Sequence, residues 1–240
     1  MTTTLFAEPT PAASPRPAGA RTAPGAPEPG VVEGACPDAL DRIADADVSL
    51  AIWRRAAVAG VERELAGREP GLTTPLRRQL AAAALALNAV DALATPLAEA
   101  GLSPDTHPCW LADMAALAQR FGALLAARLG DVGVTLRLEA LSEVACPRFH
   151  VDQTRLRLLC SYRGPGTLWL PPAAVNRQAL ATGGNNDVIA DPLRVQQLAP
   201  FWVGIFKGER YPGNAGRGQV HRSPPVADGE PPRLLFCLDA

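Results

Sequence analysis

The sequence predicts an α+β protein with a helical N-terminal half and a β-rich C-terminal half. In residues 36–130, apolar residues recur at helical spacing, and Gly and Pro fall between segments rather than within them. After Gly133 the apolar residues alternate with polar ones, which is the period of a strand with two different faces. We therefore expect a helical subdomain over residues 35–132, packed on a β domain over residues 133–240.

The composition is that of a globular protein. A chain of 240 residues, 48% of them hydrophobic, is long enough to bury a substantial core. Its 23 basic and 24 acidic side chains give a formal net charge of -1, so no overall charge excess draws it to nucleic acid or to an anionic membrane. No apolar run reaches the roughly 18 residues of a membrane span. Recognition must therefore come from a local site, and we expect neither nucleic-acid nor membrane partners.

The first segment in chain order is a predicted disordered tail. Residues 1–34 are rich in Pro, Ala, Gly and Thr, and Phe6 is their only aromatic residue, so they cannot bury enough apolar area to offset the entropy of ordering. They also lack the basic patch and apolar run of a secretory signal. The five cysteines are scattered and form no C-x-x-C pair. These features predict a reducing, cytoplasmic setting.

Two long helices are predicted next. One covers residues 75–100, and its Ala-rich middle suits close packing against a neighbour. The other begins near Cys109. Its apolar residues recur at steps of three and four, as expected for a stripe that faces the core: Leu111, Met114, Leu117, Phe121 and Leu125.

Strands follow from Val134 onwards. Alternation predicts a first strand at 134–138 and a second at 156–162, while shorter apolar runs predict strands at 167–170, 201–206 and 233–239. Residues 175–200 are polar, with two Gly and two Asn at their centre, and we expect a loop or lid over the sheet.

Three residues of the β region form a candidate metal site. The chain has three histidines, and two of them, His150 and His221, lie in this region. Asp152 follows His150 by two residues, so both side chains share one face of an extended segment. Two imidazoles and one carboxylate suit Fe(II) and leave three adjacent positions open, although Zn(II) is an alternative. If the strands close as expected, the three ligand atoms should converge within about 5 Å.

A basic residue stands where such a site needs to hold an anionic co-substrate. Arg233 lies 12 residues after His221, and a guanidinium can bind a carboxylate through two parallel hydrogen bonds. Other interpretations compete with this one. Arg233 could form an ion pair with Asp239 or Glu230. Alternatively, Lys207 or Arg222 could hold the anion.

The pattern His150-Val151-Asp152, then His221, then Arg233 resembles that of the iron and 2-oxoglutarate-dependent oxygenases. The resemblance implies a double-stranded β-helix of the jelly-roll or cupin type, Fe(II) on the three ligands, and Arg233 on the distal carboxylate of 2-oxoglutarate. Leu235 stands where many members carry Ser or Thr. Of the two residues that could point into the barrel from their strand, Tyr162 and Arg157, we favour Tyr162 as a co-substrate contact because its face is apolar.

The chain after Cys36 resembles, more closely, a bacterial family of unknown function numbered 1826. Four segments carry this resemblance: Phe149-His150-Val151-Asp152, Leu156-Arg157-Leu158-Leu159, Tyr162-Arg163-Gly164-Pro165-Gly166-Thr167 and Val220-His221-Arg222-Ser223-Pro224-Pro225. It implies a role under metal limitation.

Two other functions are compatible with the residues. A non-catalytic protein that binds or senses zinc would need a fourth protein ligand to close the metal, and Cys146 and Cys160 are the nearest soft ligands in sequence. A serine hydrolase would use Ser161 or Ser223 as its nucleophile, but the sequence has no G-x-S-x-G elbow.

Overall fold

The computed structural model describes residues 28–66, 71–72, 75–227 and 229–240. Most of the predicted tail, residues 1–27, lies outside these ranges. The strands are β1 (Val31–Gly34), β2 (Leu50–Trp53), β3 (Leu76–Ala81), β4 (Gly133–Leu141), β5 (Leu156–Arg163), β6 (Leu168–Trp169), β7 (Gln196–Gln197), β8 (Val203–Lys207), β9 (His221–Arg222) and β10 (Arg233–Asp239). The α-helices are α1 (Ala59–Leu65), α2 (Ala82–Glu99), α3 (Pro108–Leu129) and α4 (Asn185–Val188).

The strands form one large and one small sheet. The large sheet has the order β1-β2-β8-β5-β10-β4-β3 and is mixed, because β1 pairs with β2 in parallel while the other pairs are antiparallel. The small sheet has the order β7-β6-β9, and an isolated bridge between His150 and His221 extends it by one more segment. The protein is therefore of the α+β class, as predicted.

The chain alternates between the two sheets from β4 onwards. It leaves β4 in the large sheet, passes His150 at the edge of the small sheet and returns to the large sheet in β5. Strands β6 and β7 then lie in the small sheet, β8 in the large, β9 in the small and β10 in the large. Trp169 of the small sheet packs with Leu159 and Phe206 of the large sheet, so the two sheets face each other.

The large sheet has two buried faces with different partners. Even-numbered residues of β5 and β10 pack in the main core with α2 and α3, together with Trp110 and Phe121. Odd-numbered residues such as Leu159, Leu235 and Cys237 face Trp169 of the small sheet instead. A residue's parity in these strands therefore decides whether it meets the helices or the interior between the sheets.

The predicted helical subdomain needs correction. Strands β2 and β3 lie inside residues 35–132, and β3 pairs with β4 along six residues, so the expected boundary at residue 132 runs through one sheet. Strand β1 lies inside the predicted tail. These segments are short and do not alternate clearly, and they are strands because neighbouring strands supply their hydrogen bonds.

The long helices are close to their predicted positions. Helix α3 begins at Pro108, and its predicted core stripe is buried apart from Leu111, which is partly buried against the core. Helix α2 begins at Ala82 rather than near residue 75, because the preceding residues belong to β3. None of the helices in the described ranges is both long and apolar enough to cross a membrane.

Residues 175–200 are not a featureless loop. They contain α4, strand β7 and two short 3-10 helices. Val188 of this stretch packs with Phe149, Leu170 and Val220, on the face of the small sheet opposite to Trp169. The segment thus covers the outer face of the small sheet through Val188, while Leu198 near its end packs with Trp169 on the interior face.

Candidate metal centre

Two imidazoles lie side by side at one edge of the small sheet. The backbone N–H of His150 donates to the carbonyl oxygen of His221 over 3.0 Å, and the reverse bond has the same length. Residues directly opposite each other in an antiparallel pair project their side chains to the same face. The centroids of the two rings are 4.6 Å apart, so the backbone itself sets their spacing.

Asp152 completes the group. Its Oδ1 atom is 3.6 Å from Nε2 of His150, and its Oδ2 atom is 3.3 Å from Nε2 of His221. One ligand atom from each of the three residues lies within 4.8 Å of the other two. The structure thus brings together the three residues that the sequence offers as metal ligands.

The other nitrogen of each ring determines which atom faces Asp152. Nδ1 of His150 lies 2.9 Å from the carbonyl oxygen of Arg148, and Nδ1 of His221 lies 3.1 Å from that of Gln219. A carbonyl oxygen can only accept, so each Nδ1 carries a hydrogen and donates it. In the neutral rings, both Nε2 atoms then direct lone pairs towards the carboxylate, as required for metal binding through Nε2.

The protonation states of Asp152 and His221 suit metal binding. Burial opposes ionisation of Asp152, but the nearby His221, His150 and Arg157 lower the pKa of Asp152 to about 2. Burial lowers the pKa of His221 to about 4, against the opposing effect of Asp152. At neutral pH the carboxylate is therefore charged and the His221 imidazole neutral, which are the forms that bind a metal.

One oxygen of Asp152 has no hydrogen bond. Oδ1 accepts from Nη1 of Arg157 over 2.5 Å, whereas Oδ2 is buried with no hydrogen-bond partner among the described residues. Its neighbour, Nε2 of the neutral His221, is also an acceptor. Two buried acceptors that face each other are unfavourable unless a cation lies between them. Two imidazole nitrogens and a carboxylate oxygen fit Fe(II) or Zn(II).

Arg157 links the carboxylate to further charges on the large sheet. Its guanidinium also donates to Asp239, whose Oδ2 is 3.2 Å from Nε of Arg137. Arg137 in turn lies 3.6 Å from a carboxylate oxygen of Glu139. Such outer contacts hold a metal-binding carboxylate in one orientation.

Arg233 lies at the start of β10 in a cradle of neutral oxygen atoms. Only 1% of the residue is exposed. Its Nε donates to the carbonyl oxygen of Pro165 over 2.7 Å. Its Nη2 donates to the hydroxyl oxygens of Ser161 at 3.0 Å and of Thr167 at 3.1 Å. Each hydroxyl retains a hydrogen of its own that it can donate to a ligand.

The charge of this guanidinium is not balanced by a carboxylate. Within the described ranges no ion pair involves Arg233, and neither Asp239 nor Glu230 is its partner. Burial lowers the pKa of Arg233 to about 10, so the group is still charged at neutral pH. An uncompensated buried cation is costly in a folded protein unless a ligand supplies the counter-charge.

The cradle is connected to the metal ligands through the small sheet. Trp169 pairs with His221 across β6 and β9, which places their Cα atoms about 5 Å apart. Thr167 precedes Trp169 by two residues on the same face, about 7 Å along the strand. Thr167 contacts Arg233, so the short segment from Thr167 to Trp169 connects the guanidinium with the strand partner of His221.

A family model matches residues 34–239, which is most of the chain. The description of that family is "Protein of unknown function (DUF1826)". The chain belongs to the DUF1826 family. A comparison with curated proteins finds no match.

Solved structures with weak similarity to this DUF1826 member include two oxygenases. One is dioxygenase for auxin oxidation 1 from Arabidopsis thaliana, in complex with 2-oxoglutarate: 14% identity, TM-score 0.43, covering 87% of this chain and 91% of that one. The other is a prolyl-4-hydroxylase from Pseudomonas putida: 16% identity, TM-score 0.29, covering 70% and 88%. Both TM-scores are below 0.5, so neither similarity assigns a fold or an activity to this chain.

The choice of Tyr162 over Arg157 as the inward-facing residue is wrong. In this DUF1826 member the Tyr162 hydroxyl donates to Asp113 of α3 over 2.6 Å, and its ring packs edge-on against Trp110. Tyr162 has even parity in β5 and therefore faces the helices. Arg157 has odd parity and contacts the candidate ligand Asp152.

The competing anion holders point elsewhere. Nζ of Lys207 donates to the carbonyl oxygen of Asp45 over 2.8 Å. The guanidinium of Arg222 lies over the ring of Phe149, which belongs to the outer face of the small sheet. Arg233 is thus the candidate that the structure places in the interior.

The proposed soft ligands and nucleophiles are not assembled into a site. The described residues contain no second group of three potential ligands, and neither Cys146 nor Cys160 belongs to the one that forms. The hydroxyl of Ser161 accepts from Arg233, and that of Ser223 accepts from the backbone N–H of Cys146. The structure therefore lacks a nucleophile paired with an imidazole at either serine.

Sequence reasoning missed Thr167, and it considered Ser161 only as a nucleophile and Asp239 only as an ion-pair partner of Arg233. The signal for Ser161 was present in the alternation of β5, where Arg157, Leu159 and Ser161 share a face. Thr167 is identified only through its contact with Arg233, a residue 66 positions away in sequence.

Proposed function

We propose that this protein is an Fe(II)-dependent oxygenase that uses 2-oxoglutarate as co-substrate. The observation that carries the proposal is the pairing of two incomplete sites on one interior. Two imidazoles lie beside a carboxylate whose Oδ2 has no hydrogen bond among the described residues, and a buried guanidinium has hydroxyl neighbours but no carboxylate partner within the same ranges. A dicarboxylate that binds the metal at one end and Arg233 at the other would complete both.

His150, Asp152 and His221 would hold the iron. Three protein ligands leave coordination positions open for small molecules. When bound, Fe(II) supplies the redox chemistry by which dioxygen reacts with a 2-oxo acid. The alternation of strands between two sheets is compatible with the double-stranded β-helix that the sequence resemblance implies.

The residues of the interior would bind and orient the co-substrate. Arg233 would form a charge-assisted hydrogen-bond pair with the distal carboxylate, and the hydroxyls of Ser161 and Thr167 would donate to the same group. Arg157 and Asp239 would keep the Asp152 carboxylate in its metal-binding orientation. Burial of these groups excludes water and strengthens each charge interaction.

Anaerobic reconstitution followed by turnover tests the proposal. The protein loaded with Fe(II) should convert 2-oxoglutarate to succinate slowly when dioxygen is admitted, even without the second substrate. The same protein loaded with Zn(II) is the control and should release none.

Two results would contradict the proposal. The first is tight binding of Zn(II) with no binding of 2-oxoglutarate, which would favour the alternative of a zinc-binding or zinc-sensing protein without turnover. The second is failure to bind any divalent metal at His150, Asp152 and His221.

A further inference from the structure

Trp169 carries a buried polar group that nothing in the described part of the chain satisfies. The residue is 3% exposed, and its indole Nε1 has no hydrogen-bond partner among the described residues. An N–H of this kind usually finds an acceptor when it is buried. The missing acceptor calls for an explanation, and the surroundings of the indole decide whether a ligand supplies it.

The indole lies in the interior between the two sheets. Trp169 packs with Leu159, Phe206, Leu235 and Cys237, all from the inner face of the large sheet. Its neighbours in sequence, Leu168 and Leu170, pack on the opposite side of the small sheet. The orientation of Trp169 towards the interior is thus established independently of its strand pairing.

Trp169 also stands between the two halves of the proposed site. On one side it is the direct strand partner of the candidate ligand His221. On the other side Thr167, two residues earlier, contacts Arg233. Through these two contacts Trp169 lies between the metal ligands and Arg233, so a molecule that extends from one to the other would bring its oxygen atoms towards the indole.

We propose that the indole Nε1 of Trp169 donates a hydrogen bond to an oxygen atom of the dicarboxylate co-substrate. This inference rests on the proposed function and adds a hydrogen bond to one end of 2-oxoglutarate, either its 2-oxo acid group or its distal carboxylate, since the two carbons between these groups carry no oxygen.

Loss of this hydrogen bond should change the dissociation constant of 2-oxoglutarate by a measurable factor. A hydrogen bond to a charged acceptor changes a dissociation constant by about 10- to 100-fold. Loss of the indole N–H with retention of an aromatic ring should therefore weaken binding of 2-oxoglutarate by roughly that factor. It should leave metal binding unchanged, because the indole is not a metal ligand.

Trp110 offers a matched control. It is a fully buried tryptophan whose Nε1 also lacks a partner among the described residues, but it packs in the core between the helices and the large sheet. Titration of 2-oxoglutarate by calorimetry into Mn(II)-loaded protein compares wild type, Trp169→Phe and Trp110→Phe. We expect the weakening only in Trp169→Phe, with equal Mn(II) affinity in all three.

A spectrum of the wild-type chain provides a test that does not depend on the stability of a Trp169 variant. In ¹⁵N-labelled, Zn(II)-loaded protein, the indole N–H resonance of Trp169 should move downfield when 2-oxoglutarate is added, and that of Trp110 should not. The other three tryptophans can be assigned by substitution, which identifies Trp169 by elimination.

The outcomes separate this inference from the function on which it rests. If wild type binds 2-oxoglutarate but the Trp169 resonance does not move and Trp169→Phe binds equally well, the inference is overturned and the proposed function stands. If Mn(II)-loaded wild type does not bind 2-oxoglutarate at all, both are overturned.

Discussion

Asp152 and His221 direct lone pairs at each other across 3.3 Å in a buried place. Nothing in the packing of the protein forces this arrangement on a carboxylate, since Arg157 already satisfies the other oxygen. The arrangement is understandable if the free energy of a bound cation offsets the repulsion. The repulsion involves Oδ2 of the ionised Asp152 and Nε2 of the neutral His221, so substitutions of single residues can test for the cation.

His221→Gln should abolish specific metal binding, with the dissociation constant for Mn(II) raised at least about 100-fold, because losses of supporting contacts alone cost about 10- to 100-fold. His107→Gln is the control, since this third histidine lies at the start of α3 and takes no part in the ligand group. Calorimetry with both variants decides the matter. Equal affinity in the two would remove His221 from the site.

Arg233→Gln should weaken binding of 2-oxoglutarate by about 10- to 100-fold, because the variant loses a charged donor pair. Its Mn(II) affinity should match that of wild type, since the guanidinium is not a ligand. The free energy of unfolding, measured in urea, distinguishes a binding role from a structural one. A large loss of stability together with loss of metal would mean that Arg233 holds the strands together.

The candidate site was predictable where a few scarce residues carry it. Two histidines at suitable positions, an aspartate two residues after one of them and an arginine at the start of the last strand define the ligand set from the sequence. Tyr162 and Arg157 were assigned to the wrong sides because the apolar, even-numbered face of β5 packs on the helices, whereas the odd-numbered face, on which Leu159 is the one apolar residue, meets the small sheet. A period of two then cannot tell which face is the interior.

Among the elements, the two edge strands of the large sheet, β1 and β3, were not predicted from local sequence patterns. The long strands β4 and β5 and helix α3 have clear periods and were predicted, and β10 was predicted from its apolar run. Strand β3 contains three consecutive polar residues, and only its pairing with β4 makes it a strand. Strand β1 has four residues and a single buried one, Val31, which local sequence patterns do not resolve.

Removal of β1 should lower stability even though its residues resemble the tail. Val31 is buried, and the four residues of β1 pair in register with β2. A chain that begins after Gly34 should therefore melt several degrees below one that begins after residue 27, because it loses about 1–2 kcal/mol of buried apolar contact and edge pairing. Thermal melts of the two truncations measure this. Identical melting temperatures would show that β1 is not needed by the sheet.

For the whole molecule, metal binding should raise the free energy of unfolding, because the ion connects distant parts of the chain. Residues 150–152 and His221 are far apart in sequence, and the unfolded chain does not hold them together. At a free metal concentration about 100 times the dissociation constant, binding adds about 2.7 kcal/mol to the free energy of unfolding, or roughly 5–10 °C in a domain of this size.

A melting series with Mn(II) and with a chelator measures this effect. His221→Gln serves as the reference that should not respond to either addition. A wild-type melting temperature that is independent of metal would count against a specific site at these residues.

The backbone bridge between His150 and His221 should allow the protein to fold before it binds a metal. In small zinc domains the ion itself assembles the ligands, so the empty chain unfolds. Here two reciprocal amide hydrogen bonds between the backbones of His150 and His221 set the spacing of the imidazoles without an ion. The empty protein should thus persist as a folded receptor, so that occupancy follows the free metal concentration and the ion can be exchanged without loss of the chain.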